Sequence, residues 1–216
     1  MPKKRPRLKR AKISPDGFKE VAFTKFDMGN ALLTPQKHVV FAFGGNIPDV
    51  SFIGTTGMGP CIGFCLYHKG TLSAAACHFD SDAAASSKFE AYDVGCSVIE
   101  RFQKGAGKSA ITARIIIGSS PEGTGDKIVG YLADACEDYE IEVEYYRAKT
   151  GDWAVQVLSG KMVGCAVPGF TYSGDNNAVN FKSLAMRSKG SPATVVISRL
   201  EVPLTATLKF RPWNQL

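Results

Sequence analysis

The chain has 216 residues, 44% of them apolar and 21% charged, with a net charge of +6. That is enough apolar material for a packed core, which excludes a disordered chain, and no run reaches the roughly eighteen apolar residues of a membrane helix. Residues 1–12, MPKKRPRLKRAK, hold Lys3, Lys4, Arg5, Arg7, Lys9, Arg10 and Lys12 and no acid, so residues 13–216 net −1 and a binder of nucleic acid over its whole surface is excluded.

In chain order, residues 1–17 form a basic arm with prolines at 2, 6 and 15, and residues 18–216 form one domain. KHVVFAFGGN (37–46) predicts a strand ending at Gly44-Gly45, and VSFI (50–53) a second short strand. GTTGMGPC, with Gly54, Gly57 and Gly59, predicts a tight irregular turn. Residues 86–104 carry apolar side chains at 89, 92, 96, 99 and 102, a helical period, with Ser87 and Glu90 as a capping box. ITARIIIG (111–118) is a buried strand, and Ser120-Pro121 opens a second helix running to about Tyr139. IEVEYYRA (141–148) alternates as a half-exposed strand. WAVQVL and KMVGCAV form a hairpin through Ser159-Gly160. Residues 168–192 are polar and predict a long mobile loop; TVVISRLEV and TATLKF close the chain as strands. This order favours an α+β fold, a mixed β-sheet sandwich flanked by two helices, over a doubly wound sheet.

The stretch GPCIGFCLYHKGTLSAAACHFD (59–80) holds three of the six cysteines and predicts a β-hairpin. With Lys69-Gly70 as a two-residue turn, His68 pairs with Thr71 and Cys61 falls directly opposite His78, on the same face. Cross-strand Cβ atoms lie about 5 Å apart, within reach of a thiol–imidazole hydrogen bond. A charged imidazole would lower the thiol pKa, and N–H groups of the glycine-rich turn, that of Cys61 included, would line an oxyanion hole. Pro60 has none to give. On this register Cys65 opposes Ala74 and Cys77 points to the other face, both as packing residues. The plain alternative is that Cys61 and His78 are half-buried strand residues without chemistry.

The stretch GTTGMGPCIGFCLYHKGTLSAAACHFD resembles the chemoreceptor glutamine deamidases of bacterial chemotaxis, the CheD family. It carries a turn like that family's Thr-x-Leu-Gly-Ser-Cys, a hydrophobic strand, and a His closing the next strand. The resemblance spans residues 50–167 and extends to the cysteine deamidase toxins of the cytotoxic necrotizing factor and Burkholderia lethal factor type. It implies a cysteine nucleophile at Cys61, a base at His78 and an orienting Thr55, with Thr56 its immediate neighbour. It implies a protein substrate with an exposed glutamine, and no cofactor. The family's Gly-Ser-Cys is Gly59-Pro60-Cys61 here, its Leu is Met58, and its Phe-Gly-Gly after the third strand is replaced by IIIGSS.

Other signals carry less. GAGKS (105–109) lacks the first glycine of a phosphate loop, Phe102 standing in its place, and GTGDK (123–127) lacks the third glycine of a dinucleotide fingerprint. The cysteines form no paired knuckles, so no metal site is expected. The arm has a second reading, from a different class: a structural protein of viral-coat type whose Lys3, Lys4, Arg5, Arg7, Lys9, Arg10 and Lys12 neutralise nucleic acid, or an arm that a nuclear import receptor binds. With no apolar leader after the arm, a cytoplasmic enzyme or an injected effector is expected, with the host nucleus open to the arm, and no membrane partner.

Overall fold

The computed structural model describes residues 17–21, 31–34, 36–44, 51–81, 90–120, 125–164, 194–204 and 206–210. Residues 1–16 of the arm, Ser87 of the capping box, Pro121 before the second helix and the 168–192 loop lie outside them. Twelve strands and two helices are described: β1 (Lys19–Glu20), β2 (Ala31–Leu33), β3 (His38–Phe43), β4 (Phe52–Thr55), β5 (Ile62–His68), β6 (Ser73–Phe79), α1 (Glu90–Ala106), β7 (Ile111–Ile117), α2 (Gly125–Asp138), β8 (Val143–Arg147), β9 (Trp153–Gln156), β10 (Met162–Val163), β11 (Thr194–Arg199) and β12 (Ala206–Phe210). They form a mixed eight-stranded sheet, ordered β1-β8-β7-β5-β6-β3-β11-β12, and a four-stranded sheet, ordered β10-β9-β4-β2. The architecture is α+β, as the element order predicts. The short β1 and β2 were not foreseen.

Three layers follow from period-2 alternation in the large sheet. Ile62, Phe64, Leu66, Ala75, Cys77 and Phe79 join Val98, Ile99, Phe102, Ile128 and Leu132 of the helices in one core. Cys61, Cys65, Tyr67, Ala74 and Ala76 face the other way, into a core with Ile53, Trp153 and Val155 of the small sheet. Both faces of the central strands are covered, which is why β5, β6 and most of β7 are buried throughout. Parallel β7 and β8 are joined through α2, as a parallel pair requires. Among the described residues no helix is long and apolar enough to cross a membrane.

The β5–β6 hairpin departs from the expected register. Its strands close at His68 and Ser73, with a four-residue turn between them, and Gly63, not Cys61, lies opposite His78. Cys65 opposes Ala76 rather than Ala74. The His68 side chain explains the longer turn: its Nδ1 accepts the Thr71 N–H at 3.1 Å, holding Thr71 in the turn and out of the ladder. Leu72 then takes a positive φ of 50°. The shift is by two residues, an even number, so every side chain keeps its face. Cys61 and His78 still share a face, diagonally related instead of directly opposed.

One glycine fixes the spacing of the two sheets at the site. A Cβ on Gly63 would lie 2.4 Å from Trp153 Nε1, so the indole rests directly on the β5 backbone. Trp153 is fully buried and its Nε1 donates to Met58 Sδ at 3.2 Å. Gly63→Ala is expected to cost about 1–3 kcal/mol of unfolding free energy by overpacking. Urea denaturation of Gly63→Ala, Trp153→Leu and the double variant will show the contact directly: the cost of the added methyl shrinks once the indole is gone.

Candidate active site

The turn before β5 delivers Cys61. Met58 O accepts from Ser119 N at 3.0 Å, Gly59 O from Ser120 N at 3.0 Å, and Cys61 O from Gly118 N at 3.2 Å, which seats the turn on the end of β7. A Cβ on Gly118 would come within 2.3 Å of the Met58 and Gly59 carbonyl oxygens, so this close approach needs glycine. The turn's own N–H groups are largely spent on the fold. Gly57 N donates to Asp152 Oδ1 at 2.9 Å, Met58 N to Gly151 O at 2.8 Å and Gly59 N to Gly57 O at 3.2 Å. The expected oxyanion hole from these three is therefore not available, which leaves the Cys61 N–H as the turn's contribution.

Thr55 ends β4 in the small sheet; His78 lies near the end of β6 in the large one. Both are fully buried. Thr55 Oγ1 donates to Thr34 O at 2.7 Å and is 2.8 Å from His78 Nδ1. A hydroxyl has one proton, and Thr34 O takes it, so at His78 the oxygen accepts. Nδ1 must then carry the ring proton, and Nε2 is left with the lone pair. Nε2 is buried with no hydrogen-bond partner among the described residues. This is the tautomer a general base toward a thiol needs. Thr56 is buried beside it, and of the two threonines it is Thr55 that reaches His78.

Cys61 Sγ, an imidazole nitrogen of His78 and a carboxylate oxygen of Asp80 lie within 4.8 Å of one another. Asp80 was not anticipated. It follows His78 by two positions, just past the end of β6, and falls on the same side as His78, a spacing legible in HFD once His78 is singled out. The Cys61 thiol donates to Asp80 Oδ1 at 3.4 Å, while Asp80 Oδ2 pairs with Lys37 Nζ at 3.2 Å. The Ser81 backbone N–H and the Gln36 side chain also reach the sulfur.

Electrostatics run against the lowered thiol pKa that a charged imidazole would give. Burial, with Asp80 adding to it against the Ser81 and Gln36 donors, pushes the Cys61 thiol up to about 11. Burial lowers His78 to about 4, although the Asp80 charge opposes this. At neutral pH the resting site is thus thiol plus neutral imidazole. Cys65 and Cys77 are fully buried with thiols raised by desolvation, as packing cysteines should be. At the phosphate-loop look-alike, Gly107 (φ 102°) ends α1, its N–H bonded to Gln103 O at 2.9 Å.

Two outcomes follow from these directions. His78 binds its proton less readily when folded than when unfolded, so it favours the folded state above about pH 6.5 and that contribution is lost as pH falls through 4. Urea titrations in chelator should show up to about 3 kcal/mol lost over that window, and a shallower slope in His78→Asn. Removing the Asp80 charge lowers the Cys61 pKa, so Asp80→Asn is expected to speed alkylation of Cys61 near pH 8, read peptide by peptide in the mass spectrometer. Comparison with known proteins finds no family model and no curated protein that matches the chain.

Proposed function

We propose that the chain is a cysteine-dependent protein glutamine deamidase of the CheD-like kind, converting glutamine to glutamate and ammonia through a thioester. The observation that carries this reading is the relay from Thr34 O through Thr55 Oγ1 to His78 Nδ1, which leaves the Nε2 lone pair free on an imidazole clustered with Cys61. Most buried side-chain nitrogens have a hydrogen-bond partner, and among the described residues this one has none. The motif resemblance of residues 50–167 points the same way.

In this reading Cys61 Sγ attacks the side-chain amide carbon as its proton passes to His78 Nε2. Because the thiol lies near 11 and the imidazole near 4, transfer accompanies attack instead of preceding it. The thiol first turns away from Asp80 Oδ1. The oxyanion takes hydrogen bonds from the Cys61 and Ser81 backbone N–H groups. His78 then gives its proton to the departing nitrogen, the C–N bond breaks, and ammonia leaves a thioester. Water loses a proton to the same Nε2 and attacks the thioester; the C–S bond breaks and the sulfur recovers the proton. Thr55 holds the imidazole throughout, the part a carboxylate takes in other triads. Cys61 is only 4% exposed. The half-exposed Gln36, Gly59 and Ser81 and the exposed Pro60 mark the side from which a glutamine would enter.

The basic arm carries a separate reading, favoured by the confinement of seven positive charges to residues 1–12. There the arm holds nucleic acid as a coat protein's arm does; affinity would fall steeply with salt and vanish on deletion of 1–12.

Incubation with glutamine-rich protein substrates should release ammonia and leave glutamate at defined positions by mass spectrometry. Cys61→Ser and His78→Ala are each expected to lower the rate about 10⁴-fold, and Thr55→Val about 10²-fold. Deleting residues 1–12 should leave the rate unchanged. Rates indifferent to Cys61 would sink the reading.

A further inference from the structure

Asp80 has no part in the proton relay, yet it is built into the site. Its Oδ2 is held by Lys37 at 3.2 Å, which leaves Oδ1 facing the Cys61 sulfur at 3.4 Å. His78 contributes a second unused feature in the resting state: a fully buried Nε2 with no partner among the described residues. The Cys61 sulfur, a ring nitrogen of His78 and a carboxylate oxygen of Asp80 lie within 4.8 Å of one another. The geometry points to a three-ligand site for a thiophilic divalent cation, Zn²⁺ foremost, formed by Cys61, His78 and Asp80, that switches off the Cys61 nucleophile when filled.

The donor chemistry selects the ion. Thiolate with imidazole suits zinc and not magnesium or calcium, which take oxygen donors. Zinc bonds of about 2.0–2.3 Å set tetrahedral donor–donor separations near 3.5 Å. The Sγ–Oδ1 separation of 3.4 Å already matches. The remaining edges, at most 4.8 Å, close by small side-chain rotations. One thiolate and one carboxylate bring two negative charges to the dication, and the Lys37 charge stays on the far carboxylate oxygen, at the exposed end of its side chain. The outer support of a zinc histidine is present too. Such a ligand donates its other ring N–H to an oxygen that fixes its orientation, and His78 Nδ1–H donates to Thr55 Oγ1, itself anchored on Thr34 O.

On binding, the S–H bond breaks, the metal–sulfur bond forms and the proton leaves to solvent; no electron changes hands. The ion takes up both the sulfur and the Nε2 lone pair, the two groups needed for attack on an amide. Binding itself stands on geometry alone; its inhibitory consequence rests on the nucleophile reading above.

The test titrates the chelator-stripped full chain with Co²⁺. One equivalent should produce a thiolate-to-cobalt charge-transfer absorption, which Zn²⁺ then bleaches by displacement. Cys61→Ser, nearly isosteric, should abolish the band. His78→Asn and Asp80→Asn should each weaken affinity tenfold or more, and Thr55→Val about 10–100-fold. Zn²⁺ should also shield Cys61, and not the half-buried Cys96, from alkylation, with chelator restoring reactivity. Absence of the band in the wild type overturns the site, with no variant needed. A band that survives Cys61→Ser overturns it as well. The two readings fail separately: His78-dependent alkylation of Cys61 without a cobalt band removes the metal site and leaves the deamidase, and a band without ammonia release does the reverse.

Discussion

The Thr55 hydroxyl has a single proton, and it is given to the Thr34 carbonyl. Everything chemical about the site depends on that. The oxygen can only accept from His78, so the imidazole is held in one tautomer and one orientation without a carboxylate. A carboxylate there would stabilise an imidazolium; a neutral hydroxyl does not. Burial then makes His78 a weak base and keeps Cys61 a protonated thiol. A thiol and an imidazole held in these states do not exchange a proton at rest.

The large sheet carries Cys61 and His78 at its end, the small sheet carries Thr55, and Trp153 on Gly63 sets the distance between them. Small side chains on the inner face of the large sheet, Gly63, Ala74 and Ala76, admit the indole and the β4 backbone. Larger residues there would lift Thr55 away from His78. Packing and chemistry are in this sense one requirement.

Much of this was legible in the sequence. The helical periods, the buried ITARIII strand and the alternation along 62–79 stand out because each is a run of apolar residues with a single period. Which side chains share a face was also legible, because parity survives an even shift in register. The register itself was not. It turns on the His68 side chain holding Thr71, a choice between two local turns that the letters HKGTLS permit equally. β2 is three residues long and has no period to detect. The approach of Thr34, Gln36 and Lys37 to the site depends on chain crossing between sheets, which no local pattern encodes. Asp80 was within reach, since two positions along a strand means the same face, but it lacked a motif to draw the eye. The neutral resting pair came only from burial, which spacing cannot supply.

The small sheet is assembled from four strands drawn from residues 31 to 163, and it adds no residue to the helical core. Undocking it would leave the helices packed on the large sheet while separating Thr55 from His78. The site is thus a reporter on one interface of the molecule. Events that loosen that interface would change the proton position on an imidazole before they changed the secondary structure, and chemistry would fade while the fold still appeared intact by bulk spectroscopy.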